Sequence, residues 1–212
     1  MKERPIIFSG DSVRAILAGK KTQTRRIMNV GNHARAQFGS LRNGVASFHD
    51  SIPDDPCPLE VRCRQGVPGD RLWVKERFFF GQAPPDDYPL IHYAANSQAF
   101  AHDGKSVCPH PEHYPSRYAG PWTSPLFMPR WASRLPLEVV NIRVERLQSI
   151  TEDDAIAEGV DEISIRSVPR NATFCRRDDF AHLWEILNRK RASWDSNPWV
   201  WVVQFKRVEV VR

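Results

Sequence analysis

A helix-to-strand junction near the N-terminus decides the fold, and it lies in the segment VRAILAGKKTQTRRIM at residues 13–28. The apolar residues of its first half recur at helical spacing, and Asp11 or Ser12 can cap the helix that they predict. Gly19 stands where a helix usually stops, because glycine accepts the sharp turn that follows. Thr22–Met28 is rich in residues that tolerate an extended chain, so it predicts a strand.

Strand patterns dominate the rest of the chain. Asn43-Gly44 between two apolar runs predicts a hairpin. A short acidic helix is expected over Glu152–Glu158 with Thr151 as its cap, and Asp178 can cap a longer helix. The other predicted strands are Arg4–Ser9, Phe38–Leu41, Val45–Phe48, Arg71–Phe80, Leu90–Ala94, Trp131–Leu147 and Trp199–Val211.

The order of these elements indicates the fold class. Strands outnumber helices and no βα unit repeats, so we predict an α+β fold built on a mostly antiparallel β-barrel with a few helices. A length of 212 residues suits one domain. That domain would span residues 1–212, with long loop insertions at about 30–68 and 82–129.

Bulk composition narrows the function classes. Hydrophobic residues make up 41% of the chain, which is typical of a folded core. The formal net charge of +5 weakly favours a phosphate-bearing partner. No apolar run approaches the roughly 18–20 residues that cross a bilayer, and the N-terminus lacks a signal-peptide pattern. We therefore expect a cytoplasmic protein without a membrane partner, in which the four cysteines are reduced thiols.

The segment from Gly19 to Arg26 also collects chemically useful side chains. Strand alternation places Thr24 and Arg26 on one face, next to Lys21 at the turn. Arg26 offers a planar donor fork for a phosphate or a carbonyl group. A partly desolvated Lys21 would have a lowered pKa and could activate the Thr24 hydroxyl as a nucleophile. From spacing alone, a solvated basic strand explains the same residues about equally well.

The spacing of Gly19, Lys21, Thr24 and Arg26 resembles the ASCH superfamily, which is related to the PUA RNA-binding domains. That family carries Gly-x-Lys-x-x-Glu-x-Arg after its first helix, and Thr24 here replaces the glutamate. The same replacement occurs in ASCH-like bacterial amidohydrolases that deacetylate N4-acetylcytidine, with the motif Lys-Thr-x-Thr-x-Arg. Their working residues are a Lys, a Thr and a later Glu, so the resemblance implies catalytic roles for Lys21, Thr24 and Glu158.

Three further segments resemble phage-type ASCH proteins. They are Pro68–Glu76, Met128–Arg134 and Asn197–Trp201. The resemblance reaches both ends and the middle of the chain but not the two insertions. It implies a PUA-like β-barrel with a helix-lined cleft.

Other residues are candidates for ligand contacts. Glu76 alternates with apolar residues and is expected to point inward, where ion pairing is favoured over catalysis. Arg130, Trp131 and Arg134 form a basic and aromatic cluster that either stacks bases and holds phosphates or packs as core and solvated charge.

A metal site and a bound cofactor are both disfavoured. Cysteine and histidine residues lie near one another, but their spacing does not match a zinc knuckle, so ordinary loop residues are favoured. They are Cys57, Cys63, Cys108, His110 and His113. The chain has no glycine-rich phosphate loop and no hydrolase elbow, so no cofactor is expected.

Two main hypotheses follow. In the first, a basic cleft binds RNA, favoured over DNA, or a modified nucleoside through Lys21, Arg26 and Arg130. In the second, the same cleft hydrolyses the amide of an N-acylated nucleobase. Lys21 would then deprotonate Thr24, Glu158 would position water or carry a proton, and Arg26 would stabilise the oxyanion. A protein-interaction module on the same fold is a third hypothesis.

Overall fold

The computed structural model of the chain describes residues 1–31, 36–49, 59–83, 88–95, 99–101, 107–108, 121–160 and 175–208. Three α-helices lie in this part of the chain: α1 Gly10–Leu17, α2 Glu152–Ala157 and α3 Arg176–Asn188. The strands are β1 Glu3–Ile7, β2 Gln23–Ile27, β3 Gln37–Arg42, β4 Val45–His49, β5 Leu59–Arg62, β6 Arg71–Lys75, β7 Phe78–Ala83, β8 Tyr88–Tyr93, β9 Ala99–Ala101, β10 Val107–Cys108, β11 Pro136–Arg146 and β12 Trp199–Arg207. The predicted α+β class with mostly antiparallel strands is confirmed.

A five-stranded sheet is the centre of the fold. Its strand order is β1-β6-β11-β12-β2, so that β1 and β2 are the outer strands. Only β1 and β6 run parallel, and the remaining pairs are antiparallel. Within the described residues no hydrogen-bonded strand pair joins β1 to β2, and the closed barrel stays a prediction.

Apolar clusters cover both faces of this sheet, as alternation along β12 requires. Trp201 and Val203 belong to the larger cluster, with α1, β6 and the β3-β4 hairpin. Val200 and Val202 belong to a second cluster with α2 and α3. Because β2 pairs with β12, its side chains divide between the same two faces.

The β3-β4 hairpin turns at the predicted place. Asn43 and Gly44 have φ angles of 48° and 74°, which a two-residue hairpin turn needs and which these residue types accept. Strand β5 pairs with β4, so β3 and β5 are the outer strands of this three-stranded sheet.

The single strand predicted over Arg71–Phe80 is wrong. The chain leaves the central sheet after Lys75 and starts a second, four-stranded sheet at Phe78. At the break, the Glu76 backbone N–H donates to the sulfur of Met128 at 3.4 Å instead of to a neighbouring strand. The strand-like alternation of residues continues across the break, so the sequence pattern gives no sign of it.

The helix boundaries correct two predicted caps and confirm a third. Ser9, rather than Asp11 or Ser12, caps α1, and its hydroxyl accepts from the Ser12 N–H at 3.3 Å. Helix α3 begins before Asp178. Thr151 caps α2 as predicted, because its hydroxyl accepts from the Asp154 N–H at 3.2 Å. None of the helices in the described ranges is both long and apolar enough to cross a membrane.

Candidate functional site

A cleft of about 1150 Å³ runs along strand β2, and we refer to it as the β2 cleft. Its main walls come from four places: the end of β1 with the residues after it, β2 with the residues on either side of it, β5 with the loop after it, and α3 with the chain that leads into β12. Arg146 at the end of β11 and Glu158 at the end of α2 also contribute. Lys21, Thr24, Arg26 and Glu158 all line it. The three residues with predicted catalytic roles, together with the predicted oxyanion donor, are therefore brought to one place.

Lys21 reaches the cleft because α1 ends in a tight turn just before it. Gly19 has a φ of 73°, and the N–H groups of Lys20 and Lys21 both donate to the Ala15 carbonyl, at 2.9 and 3.1 Å. The Lys21 ammonium is buried, with a side-chain exposure of 5%. It donates to the Glu158 carboxylate at 2.8 Å and to the Glu158 backbone carbonyl at 2.7 Å.

Glu158 stands at the C-terminal end of α2, where a carboxylate alone would be unfavourable. The Lys21 ammonium compensates both the carboxylate and a free carbonyl of the helix end. Gly159 follows with a φ of 79°, and a β-carbon there would lie 2.9 Å from the β-carbons of Lys21 and Ala15. Glycine at this position therefore permits the close approach of α2 to Lys21.

We expect the substitution Gly159→Ala to destabilise the protein by about 1–3 kcal/mol more than Gly69→Ala, because only the first adds overpacking to backbone strain. Gly69 also has a positive φ, 88°, but a β-carbon there meets nothing within 4 Å. Urea denaturation of the two variants measures the difference. Equal losses would show that α2 yields to the added methyl group without cost.

A partly buried charge cluster surrounds the Lys21–Glu158 pair. Arg25, whose side chain is 0% exposed, contacts three carboxylates: Asp154 at 2.8 Å, Glu145 at 3.1 Å and Glu158 at 3.3 Å. Three cations thus meet three carboxylates, and we call these six residues the charge cluster. Its members are Lys21, Arg25, Arg143, Glu145, Asp154 and Glu158.

Arg25 is the central residue that sequence reasoning missed, since it counted only as part of a basic strand. Two signals could have identified it. Asp154 and Glu158 are four residues apart, so they share one face of the acidic helix and need a cation opposite them. Arg25 also alternates with Gln23, whose amide donates to the Asp154 carboxylate at 3.0 Å, so both side chains face α2.

The charge cluster sets the ionisation of its members. Burial raises the pKa of Asp154, but hydrogen bonds from Arg143 and Arg25 outweigh it and bring that pKa to about 2. Desolvation of the buried ammonium lowers the pKa of Lys21, although the Glu158 carboxylate opposes the shift. A lowered pKa makes the neutral amine of Lys21 more accessible than that of a surface lysine.

Thr24 and Arg26 lie on the other face of β2, opposite Val203 and Trp201. Thr24 is buried, and within the described chain its hydroxyl has no hydrogen-bond partner. Arg26 donates to the Ile7 carbonyl at 2.8 Å, so its side chain links the two outer strands of the central sheet.

One N–H donor of the Arg26 guanidinium makes no hydrogen bond to the described residues. The guanidinium lies 5.2 Å from the centre of the Phe8 ring, and burial lowers its pKa. Its Nε–H is buried and has no partner among the described residues. A buried donor without a partner costs free energy, and a bound carbonyl or phosphate oxygen would relieve that cost.

The other predicted ligand residues do not line the β2 cleft. Glu76 is buried and accepts two hydrogen bonds from Arg134, at 2.8 and 2.9 Å, which is the structural ion pair favoured from its pattern. Arg130 pairs with Glu3 at 2.8 and 3.1 Å on the surface. Trp131 is half exposed and stacks on Phe80, with ring centres 5.5 Å apart.

Most of the cysteine and histidine residues considered for a metal site lie outside the part of the chain that the structure describes. Cys57, His110, His113 and the side chain of Cys108 lie outside the described residues. Cys63 is a buried free thiol, and burial raises its pKa. Where the structure describes the chain, no three histidine, cysteine or acidic side chains are grouped to hold a metal ion.

The β2 cleft combines an activatable amine with a hydroxyl and a guanidinium N–H that have no hydrogen-bond partner among the described residues. Such groups suit proton transfer and stabilisation of a developing oxyanion, as well as simple recognition of an anionic or carbonyl-bearing ligand. No protein-family model matches this chain, and no curated protein or solved structure matches it either.

Proposed function

We propose that the β2 cleft binds a modified nucleoside, free or within RNA, and hydrolyses an N-acyl amide on its base. The observation that carries the proposal is the convergence of Lys21, Thr24 and Glu158 on one cleft, with the Lys21 ammonium 2.8 Å from the Glu158 carboxylate. The resemblance of residues 19–26 to the ASCH amidohydrolases supports the same roles. A PUA-like barrel, with the five-stranded sheet as its main part, belongs to this proposal.

The reaction begins with a proton transfer inside the buried pair. Glu158 accepts a proton from the Lys21 ammonium, which burial already makes more acidic. The neutral amine of Lys21 then takes the proton of the Thr24 hydroxyl, and the hydroxyl oxygen attacks the acyl carbonyl. To reach the Thr24 hydroxyl, the Lys21 side chain turns from Glu158 towards Thr24 when substrate binds. Hydrogen bonds of this kind often tighten only with substrate.

The second half of the reaction returns the protein to its starting state. The amide C–N bond breaks, and the leaving amino group of the base takes a proton from Lys21. The neutral amine of Lys21 then takes a proton from water, and the hydroxide attacks the acyl ester on Thr24. The Thr24 oxygen leaves with the proton held by Glu158, and the acid is released as a carboxylate and a proton, which restores the Lys21 ammonium, the Glu158 carboxylate and the Thr24 hydroxyl. The free Nε–H of Arg26 is the donor for the oxyanion in both steps.

Incubation with N4-acetylcytidine tests the proposal. We expect release of cytidine and acetate, and a fall in rate on the order of 10²–10⁴ for Lys21→Met, because proton transfer contributes that much. Lys20→Met is the matched control, since it removes the same charge from an exposed neighbour. Chromatography of the reaction over time measures both.

Two results would contradict hydrolysis. One is the absence of cytidine from the parent protein at enzyme concentrations equal to the substrate. The other is a Lys21→Met variant that retains the rate of the Lys20→Met variant.

Binding without hydrolysis is the second candidate function. The closed Lys21–Glu158 pair favours it, because the Lys21 ammonium then donates to Glu158 and not to the Thr24 hydroxyl. The many cationic groups of the cleft lining would serve such a module directly. Equilibrium binding of single-stranded RNA and DNA of one sequence separates the candidates. Tight binding of RNA with no turnover of an acetylated base favours the binding module, and binding of neither oligonucleotide excludes it.

A further inference from the structure

Strand β2 is an outer strand of the central sheet, so that among the described residues one of its two edges has no neighbouring strand. We call this edge the open edge of β2. Strand β12 occupies the other edge, and the two strands pair in an antiparallel register without a shift. In such a pair, successive residues turn their backbone N–H and C=O groups alternately towards the partner strand and away from it.

Two backbone hydrogen bonds, one at each end of β2, fix this alternation. They join Thr22 to Phe205 at 2.8 Å and Met28 to Trp199 at 3.0 Å. Thr24 lies an even number of residues from both ends, so its backbone groups also face β12. The N–H groups of Arg25 and Ile27 therefore point to the open edge.

The open edge borders the β2 cleft. Thr24, Arg25, Arg26 and Ile27 all line the cleft, although their side chains alternate between the two faces of the sheet. Consecutive residues from both faces can border one cavity where the strand between those faces has no neighbour. The cleft thus runs along the edge itself, and the outward-pointing backbone groups of β2 face it.

The Arg25 N–H makes no hydrogen bond to the part of the chain that the structure describes. Arg25 as a whole is 5% exposed, so this N–H is also largely withdrawn from solvent. Roughly 90% or more of buried backbone N–H groups in proteins have a partner, because an unpaired buried donor costs free energy. A ligand oxygen at the open edge would supply the missing acceptor.

The position of this N–H in the chain indicates which ligand oxygen it would meet. Arg25 directly follows Thr24, whose hydroxyl is the proposed nucleophile. When that hydroxyl attacks an acyl carbonyl, negative charge develops on the carbonyl oxygen and needs a donor already aimed at it. In α/β-hydrolases, the backbone N–H of the residue after the nucleophile supplies such a donor.

Arg25 is also held in place before any substrate binds. Its neighbours Thr24 and Arg26 both pair with β12, so the backbone between them cannot turn its N–H away from the open edge. Its side chain contacts three carboxylates of the charge cluster. A donor that needs no reorganisation during the reaction is the kind that stabilises a transition state most.

We propose that the backbone N–H of Arg25 is a second oxyanion donor of the β2 cleft, beside the Arg26 side chain. This inference rests on the proposed function and adds a catalytic group to it. As the Thr24 oxygen bonds to the acyl carbon, the π electrons of the carbonyl move to its oxygen, which accepts a hydrogen bond from the Arg25 N–H. They return to the carbonyl when the amide C–N bond breaks.

Replacement of the Arg25 amide by an ester tests this role, because it removes one N–H and keeps every side chain. A synthetic segment of residues 1–62 can be joined at Cys63 to the expressed remainder, which gives the full chain. The matched control is an ester at Ile27, whose N–H also points to the open edge but lies two residues further along. Neither ester removes an N–H bonded to β12, so thermal unfolding of the two should be equal.

We expect the Arg25 ester to lower kcat for N4-acetylcytidine by about 10²–10³ with little change in KM, because one oxyanion donor contributes that much and acts mainly in the transition state. The Ile27 ester should keep the rate of an all-amide chain assembled in the same way. Hydrolysis by both esters at equal rates would overturn the inference and leave the proposed hydrolase in place.

Hydrogen exchange, measured by NMR, is a second readout that needs no turnover. The probe is cytidine with a methylphosphonamidate group on N4, whose tetrahedral, charged phosphorus group imitates the oxyanion, and unmodified cytidine is its control. We expect the probe, but not cytidine, to slow exchange of the Arg25 N–H, while the Ile27 N–H exchanges as before. Slowed exchange without any hydrolysis of N4-acetylcytidine would keep the donor and refute the hydrolase. Unchanged exchange of the Arg25 N–H in the presence of the probe would overturn the inference.

Discussion

The variant Arg25→Met is expected to lose about 3–5 kcal/mol of unfolding free energy, because removal of one partner leaves buried charge uncompensated. Among the cations of the charge cluster, Arg25 alone contacts all three carboxylates, and its side chain is 0% exposed. Without it, the cluster holds two cations and three carboxylates. Methionine has a similar length and is apolar, so the loss reflects charge rather than an empty volume.

Urea denaturation measures this loss, and Arg189→Met is the matched control. Arg189 is 82% exposed and lies 4.0 Å from Glu185, so its removal should change stability by less than about 1 kcal/mol. The double variant Arg25→Met/Asp154→Asn restores equal numbers of cations and carboxylates and should recover part of the loss. A loss for Arg25→Met no larger than for Arg189→Met would contradict the assigned role of Arg25.

The variant Thr24→Val should lower amide hydrolysis by a factor on the order of a thousand or more, because it removes the proposed nucleophile. Valine has nearly the same shape as threonine, and the Thr24 hydroxyl has no hydrogen bond to lose within the described residues. We therefore expect unchanged thermal unfolding.

Thr24→Ser is the matched variant, since it keeps the hydroxyl and removes only a methyl group. It should retain hydrolysis within about tenfold of the parent, and mass spectrometry should detect an acylated protein for the parent and Thr24→Ser but not for Thr24→Val. Hydrolysis by Thr24→Val at the parental rate would leave Lys21 and Glu158 without a nucleophile to activate and would contradict the mechanism.

Local chemistry explains which parts of the fold could be predicted. The turn at Asn43-Gly44 is visible in the sequence because those residue types accept positive φ angles. Thr151 is visible as the cap of α2 because a hydroxyl before an acidic first turn suits a helix N-terminus. In both cases the cause lies within a few residues of the effect.

Contacts between distant residues explain what could not be predicted. The break in the strand predicted over Arg71–Phe80 coincides with Glu76, whose partner Arg134 is 58 residues away. The alternation around Glu76 indicates burial but contains no information about where Arg134 lies. The central position of Arg25 likewise depends on Asp154, 129 residues away, so strand alternation gives its face but not its partners.

In the candidate site, too, the residues of one short segment could be predicted and those from distant elements could not. Lys21, Thr24 and Arg26 were accessible from their spacing in one short segment, and Glu158 from the family resemblance. The rest of the cleft lining was not, because it comes from separate elements that no motif joins. Glu76, Arg130 and Trp131 had suggestive patterns, but the structure places them outside the cleft lining.

The charge cluster also constrains how this protein can vary in evolution. A single exchange at Arg25 would remove a cation from all three carboxylates, and one neighbouring change could compensate for only part of that loss. Related sequences should therefore change positions 25, 143, 145 and 154 together or not at all. Lys21 and Glu158 should form a second covarying pair, so that the charge cluster is inherited as a unit while the other side chains of the cleft lining are free to diverge with the ligand.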